Sequence, residues 1–313
     1  MIQAWKIPHL MKGMLTYVPM LNEWRVRRGS TGGSNASRYC YAVWLRHLVV
    51  LNREGFNHRG AAIGELGPGD SIGTGLAALL SGAHQYVGLD VIPYSATADL
   101  ETIFNELAQM YLSGQPIPTH DEFPAVRPRL PSYGFPSELV RSEDLADRVS
   151  RIGSDLSLGM NNGKYIKYHA PWTSVGVIAA NSLDLIFSQG VLRCVDDVQE
   201  TYRAMFAWLK PGGYSSHSIG TNGIYLSPHW NGHWAYTDLE WKLVRGRRAF
   251  LLNRASVKTH TSLARRAGFE VLSLERDYAT GGLPVDALAA RFQTLDGEDL
   301  RTRGIMMVLR KPE

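Results

Sequence analysis

Between residues 61 and 82 an apolar run, a glycine-rich turn and a helical segment follow one another directly. Ala61 to Ile63 lead into Glu65-Leu66-Gly67-Pro68-Gly69-Asp70-Ser71-Ile72-Gly73, and Thr74-Gly75-Leu76-Ala77-Ala78-Leu79-Leu80 reads as a helix ending at Gly82. Strand, tight turn and helix in that order open a nucleotide-type α/β unit. The turn needs glycines because their φ is free and no Cβ blocks an approaching ligand. Tyr86-Val87-Gly88-Leu89 reads as the next strand and ends at Asp90. A carboxylate there suits a ribose diol, since it can accept both hydroxyl hydrogens.

The chain of 313 residues has room for one large α/β domain with additions or for two small domains. Apolar residues make up 44%, enough for a buried core, and no stretch reads as a membrane span or secretory signal. The most apolar early stretch, Tyr41 to Leu51, contains Arg46 and His47. The expectation is a soluble, cytoplasmic protein. Cys40 and Cys194 lack zinc-type spacing and read as reduced thiols.

Residues 1–59 carry nine Lys or Arg against Glu23 and Glu54, a net +7 that leaves the remainder at −3. This front end is either a solvated face or a surface for an anionic partner such as nucleic acid, lipid phosphate or acidic glycan. Arg25, Arg27 and Arg28 precede Gly29-Ser30-Thr31-Gly32-Gly33-Ser34, which reads as a flexible loop. Tyr41, Trp44, Leu45, Leu48 and Val49 then define one apolar helix face.

Beyond Asp90, Thr97 or Ser95 can cap a helix carrying Leu100, Ile103, Phe104, Leu107 and Tyr111, stopped by Gly114. Six prolines in 115–136 exclude a continuous helix or central strand, so this stretch reads as an insertion over the core. A charged helical pattern over 138–152 reads as surface. Tyr165 to Tyr168 and Ser182 to Gln189 read as the third and fourth strands. Ligands bind outside the carboxyl ends of such strands, which puts Ser188 and Gln189 near chemistry. Asp196 and Asp197 start a helix stopped by Lys210-Pro211-Gly212-Gly213, before a fifth strand from Tyr214 to Ile219.

Glu65-x-Gly67-x-Gly69 with Asp90 closing the next strand resembles motif I of the class I S-adenosylmethionine-dependent methyltransferases. The run Ser182-Leu183-Asp184-Leu185-Ile186-Phe187-Ser188-Gln189-Gly190-Val191-Leu192-Arg193 and the later Leu209-Lys210-Pro211-Gly212-Gly213 resemble the same class. So do Ala267-Gly268-Phe269-Glu270-Val271 and the closing strand Gly304 to Arg310. The resemblance covers about 56–313, with insertions at about 114–163 and 220–258, behind an N-terminal helical cap over 1–55. It implies an α/β fold: a doubly wound, mostly parallel seven-stranded Rossmann-like sheet whose seventh strand lies antiparallel beside the fifth.

The same resemblance implies S-adenosylmethionine as cofactor. Gly67 and Gly69, with Asp70, Ser71 and Gly73, would lie along its methionine portion and Glu65 near its ammonium. Asp90 would take the ribose, Val91 and Ile92 an adenine face, and Ala170 and Pro171 the side of the base. Relatives often place an acid after the third strand, where this chain has His169-Ala170-Pro171, so adenine recognition is left to other groups. The N-terminal text from Ser37 to Leu48 looks like methyltransferases of bacterial polysaccharide or small-molecule pathways. This implies a small-molecule or saccharide hydroxyl as acceptor, with Tyr41 among its contacts; simple packing is the other reading of Tyr41.

His217 is the candidate general base, because a hydroxyl must lose its proton as the new bond forms and imidazole titrates near neutrality. Trp230, His233 and Trp234 form either an acceptor pocket, with polar tips on aromatic bodies, or an aromatic mini-core. His229 and His233 are four apart, but Pro228 and Gly232 weaken the helix a metal pair needs, and no metal is expected. Arg245, Arg247 and Arg248 form either an anion grip or a solvated turn. The rival readings are a nucleic-acid or protein methyltransferase and a non-catalytic cofactor-binding subunit. No Asn-Pro-Pro-Tyr-type motif follows the fourth strand, and nucleic acid is not an expected partner. Oligomeric state stays open.

Overall fold

A computed structural model describes residues 3–18, 33–141, 143–172, 174–248 and 250–313. Arg25, Arg27, Arg28 and the Gly29–Gly32 part of the expected loop lie outside the described residues. Seven strands form one sheet: β1 (Ala62–Leu66), β2 (Gln85–Leu89), β3 (Ile166–His169), β4 (Leu183–Gln189), β5 (Leu209–Gly220), β6 (Glu270–Tyr278) and β7 (Thr302–Arg310). Their order is β3-β2-β1-β4-β5-β7-β6, with β7 antiparallel to both neighbours and the other pairs parallel. The order reverses between β1 and β4, which opens the crevice where such sheets bind ligands.

One face is covered by α2 (Ser37–Arg53), α3 (Gly73–Ser81), α4 (Leu100–Leu112) and α5 (Leu145–Ser157). The opposite face is covered by α6 (Val198–Trp208) and α8 (Val257–Arg266). Helix α1 (Ile7–Met14) packs on α7 (Asp238–Arg245) within the second insertion. Local chemistry fixes the starts. The Asp99 carboxylate accepts from Thr102 N–H at 3.1 Å to cap α4, in place of the expected Ser95 or Thr97. Asp197 caps α6 and Ser256 caps α8 in the same way.

Two expectations need correction. Helix α2 is buried on nearly every side, because the proline-rich segment lies over the outer face that carries Arg46 while His47 faces the sheet. Arg46 Nη1 donates to Val126 O at 2.7 Å and Nη2 to Pro118 O at 2.7 Å, so a guanidinium satisfies carbonyls that no regular structure pairs. The charged stretch expected at the surface forms α5, which buries Leu145, Arg148, Ile152 and Asp155 on packing against α3 and α4. No helix among the described residues is long and apolar enough to cross a membrane.

Candidate active site

Gly67 and Gly69 have φ of +63° and +76°, so the turn after β1 takes a left-handed path that side chains resist. A Cβ on Gly67 would lie 2.6 Å from Val191 Cγ2, because the loop leaving β4 presses directly on the turn. Gly69 N–H donates to Asp90 Oδ2 at 3.1 Å, and Ser95 Oγ donates to the Gly69 carbonyl at 2.9 Å. Asp90 Oδ1 accepts from Val91 N–H at 2.7 Å. Burial raises the Asp90 pKa against these three backbone donors, Ile92 N–H being the third.

Glu65 is buried, and its Oε2 accepts from Tyr86 O–H at 2.7 Å. Desolvation pushes its pKa up to about 8, so the carboxyl is protonated at neutral pH. Sequence reasoning missed Tyr86; the signal was Gly75 on α3, whose missing Cβ leaves room for the Tyr86 ring. Ser34, also missed, is seated on the turn: its Oγ accepts from Ser71 N–H at 2.9 Å, and its carbonyl accepts from Ser71 Oγ. Gly73 N–H donates back to Ser71 Oγ at 3.0 Å, and Asp70 is buried beside them.

Val91 is half exposed and Ile92 partly so, beyond the edge of β2. Ala170 and Pro171 lie alongside, since Asp90 N–H donates to His169 O at 3.0 Å and Trp172 N–H to Asp90 O at 2.9 Å. The donor set fits S-adenosylmethionine: backbone without Cβ, a carboxyl for a cationic amine, and an acid with a lone pair left for a diol.

Strand β4 ends beside β5, with Ser188 opposite His217 and Gln189 opposite Ser218. His217 does not fit the general-base role. It is fully buried under α6 and α8, Nδ1 pairs with Ser188 Oγ at 2.8 Å and Nε2 with Ser215 Oγ at 2.6 Å. Burial drives its pKa down to about 3, and both nitrogens are taken by serine hydroxyls. The other face carries a histidine the sequence reading passed over. His47 of α2 pairs through Nδ1 with Ser216 Oγ at 2.8 Å and through Nε2 with Gln189 Oε1 at 3.2 Å.

Tyr41 has no exposed surface and donates its hydroxyl to Gln115 O at 2.7 Å, so it packs and leaves no face for an acceptor. Trp234 and His233 are buried too: Trp234 stacks on Phe292 at 6.0 Å, and His233 packs against Trp234 at 4.8 Å. This is the mini-core alternative. Trp230 is partly exposed and donates Nε1–H to Gly281 O at 2.9 Å. His233 lies in a 3₁₀ turn, Gly232–Ala235, and no metal-binding group of three or more His, Cys, Asp or Glu occurs among the described residues. Arg245 pairs with Asp196.

The strand order, with an antiparallel β7 between β5 and β6, is that of the Rossmann-like fold of the class I methyltransferases. Residues 148–216 match the family model described as a methyltransferase domain. The matched residues run from α5 to β5 and leave the Glu65–Gly73 turn to rest on its geometry. No curated protein matches. Among the solved structures similar to this chain are the following three. An S-adenosylmethionine-dependent methyltransferase from Mesorhizobium loti is 18% identical, over 85% of this chain and 98% of its own, with a TM-score of 0.43. Phosphoethanolamine N-methyltransferase 2 from Haemonchus contortus is 14% identical, over 89% and 58%, with a TM-score of 0.45. A methyltransferase from Methanosarcina mazei is 12% identical, over 84% and 97%, with a TM-score of 0.43. At these scores the likenesses add nothing to what the strand order and family match carry.

Proposed function

We propose that the chain transfers a methyl group from S-adenosylmethionine to a hydroxyl of a small molecule or saccharide. The observation that carries this reading is the joined unit of Glu65, the two left-handed glycines and Asp90 at the carboxyl edge of β1 and β2. When bound, the cofactor supplies an activated sulfonium methyl, so the protein's task is mainly to hold two reactants in line. Gly67 and Gly69 admit the amino-acid tail, Glu65 balances its ammonium, and Asp90 accepts from the ribose hydroxyls. Gln189, held by His47, stands where the acceptor would lie, with its amide N–H groups available as donors. The absence of an Asn-Pro-Pro-Tyr-type motif after Gln189 supports a hydroxyl over an amine, and a cytoplasmic setting belongs to the same reading.

One observation favours a second reading, a cofactor-fold subunit without catalysis: Ser34 already engages the turn through Ser71. Transfer of radiolabelled methyl from S-adenosylmethionine to a panel of mono- and oligosaccharides separates the two. Label recovered as an alkali-stable methyl ether supports the proposal. Label on nitrogen, on nucleic acid or nowhere contradicts it.

A further inference from the structure

Helix α1 has two apolar faces, and the described residues cover one of them. Leu10 and Gly13 are buried against α7, where a Cβ on Gly13 would lie 2.7 Å from the Val244 carbonyl oxygen. Lys6 Nζ fastens the helix to the second insertion, donating to Ala235 O at 2.6 Å and Glu240 Oε2 at 3.0 Å. The other face, continued through the 3₁₀ turn Leu15–Tyr17, carries Ile7, Met11, Met14, Leu15 and Val18, each 46–55% exposed. Ile7, Met11 and Met14 follow at i, i+4 and i+7 along α1, and Leu15 and Val18 add exposed apolar side chains beyond its end. Leu239 and Leu243 extend the apolar surface on α7. A soluble surface rarely gathers so many large apolar side chains in one place without a use for them.

The rim of this patch is cationic. Lys12 lies on α1, Lys242 on α7 and Arg247 just after it, with the Arg247 guanidinium 5.3 Å from the Tyr17 ring centroid. Among the described residues, the carboxylates of α7 and Asp196 are engaged by other cations: Glu240 by Lys6, Asp238 by Arg254 and Arg291, and Asp196 by Arg245. We propose that this face docks on an anionic lipid bilayer, the α1 stripe lying in the interface while Lys12, Lys242 and Arg247 meet lipid phosphates. A second copy of the chain fits less well, because a two-fold contact through the patch would bring the same cationic rim against itself. The docking assumes nothing about methyl transfer.

The test is co-sedimentation of the full chain with vesicles of phosphatidylcholine alone, or with about one-third phosphatidylglycerol. Binding to the anionic vesicles only, weakened by salt, is expected. Met11→Glu/Leu15→Glu and Lys12→Glu/Lys242→Glu should each lower the partition coefficient at least about tenfold. Both should keep the wild-type melting temperature and the wild-type affinity for S-adenosylhomocysteine. The proposal is overturned by absence of binding to anionic vesicles, or by binding that both double variants retain. It is equally overturned if the chain ignores vesicles and forms a dimer in light scattering that Met11→Glu/Leu15→Glu dissociates.

Discussion

The amide of Gly69 donates to the carboxylate of Asp90 at 3.1 Å, so the turn after β1 and the acid closing β2 form one rigid unit. Ser95 closes the circuit from the far side by donating to the Gly69 carbonyl. A ligand lying across both loops therefore meets a preformed surface, and a change at either loop is felt at the other.

The fit of that unit against β4 is tight at Gly67. An alanine there must hold φ near +63° and place its Cβ 2.6 Å from Val191. Gly67→Ala should cost about 2–4 kcal/mol in denaturant unfolding, the sum of left-handed strain and overpacking. Val191→Ala in the same chain should return the overpacking part and leave the strain. Equal stability of Gly67→Ala and wild type would refute the close approach.

Arg46 holds the proline-rich segment from inside the fold. Arg46→Met fills similar volume but strands the carbonyls of Val126, Pro128 and Pro118. A loss of about 3 kcal/mol is expected, with faster amide exchange concentrated over 115–136. Uniform exchange across the chain would show that the segment does not depend on this guanidinium.

The Glu65 carboxyl, held near a pKa of about 8, couples cofactor binding to proton release. An ammonium brought beside it favours the ionised form and lowers that pKa, so binding at pH 7 should release about one proton. Titrations in buffers of different ionisation enthalpy measure this, and Glu65→Gln should abolish it. The same group sets a slope on stability. The folded chain keeps this proton up to about pH 8 while the unfolded chain sheds it near 4.5, so its contribution is full below pH 4.5 and is lost as pH rises toward 8.

Five buried histidines act in the opposite sense, His58 among them with its pKa lowered by burial. Burial lowers His47 and His260 to about 4 and His217 and His233 to about 3, from an ordinary 6.5. They stay neutral in the folded chain while the unfolded chain binds protons below pH 6.5. Stability from these groups is therefore lost as pH falls from 6.5 toward 4, and the melting temperature should drop between pH 7 and 5. His47→Gln should flatten that drop; an unchanged profile would mean that His47 titrates near its ordinary value.

The sheet was legible because its strands are buried apolar runs ending at glycine turns, and Glu65, Gly67, Gly69 and Asp90 fall at those ends. The seventh strand beside the fifth followed from the resemblance. What could not be read was burial that depends on distant covering segments. Arg46 interrupts an apolar helix and looks like surface until 115–136 lies over it, and His47 does so until β4 and β5 meet it. Along β5, Ser215, Ser216, His217 and Ser218 give no apolar alternation, so nothing local shows that His217 faces α6 and α8 while Ser216 faces α2. His217 thus looked available for catalysis when two serines enclose it.

Calorimetric titration of the full chain with S-adenosylhomocysteine, repeated on Asp90→Ala, tests the central claim most directly. One site per chain is expected, weakened at least about thirtyfold by Asp90→Ala through loss of charge-assisted hydrogen bonds. A wild-type chain that takes up no ligand, or a variant that binds as well as wild type, would contradict the assignment of the Gly69–Asp90 unit as the cofactor cradle.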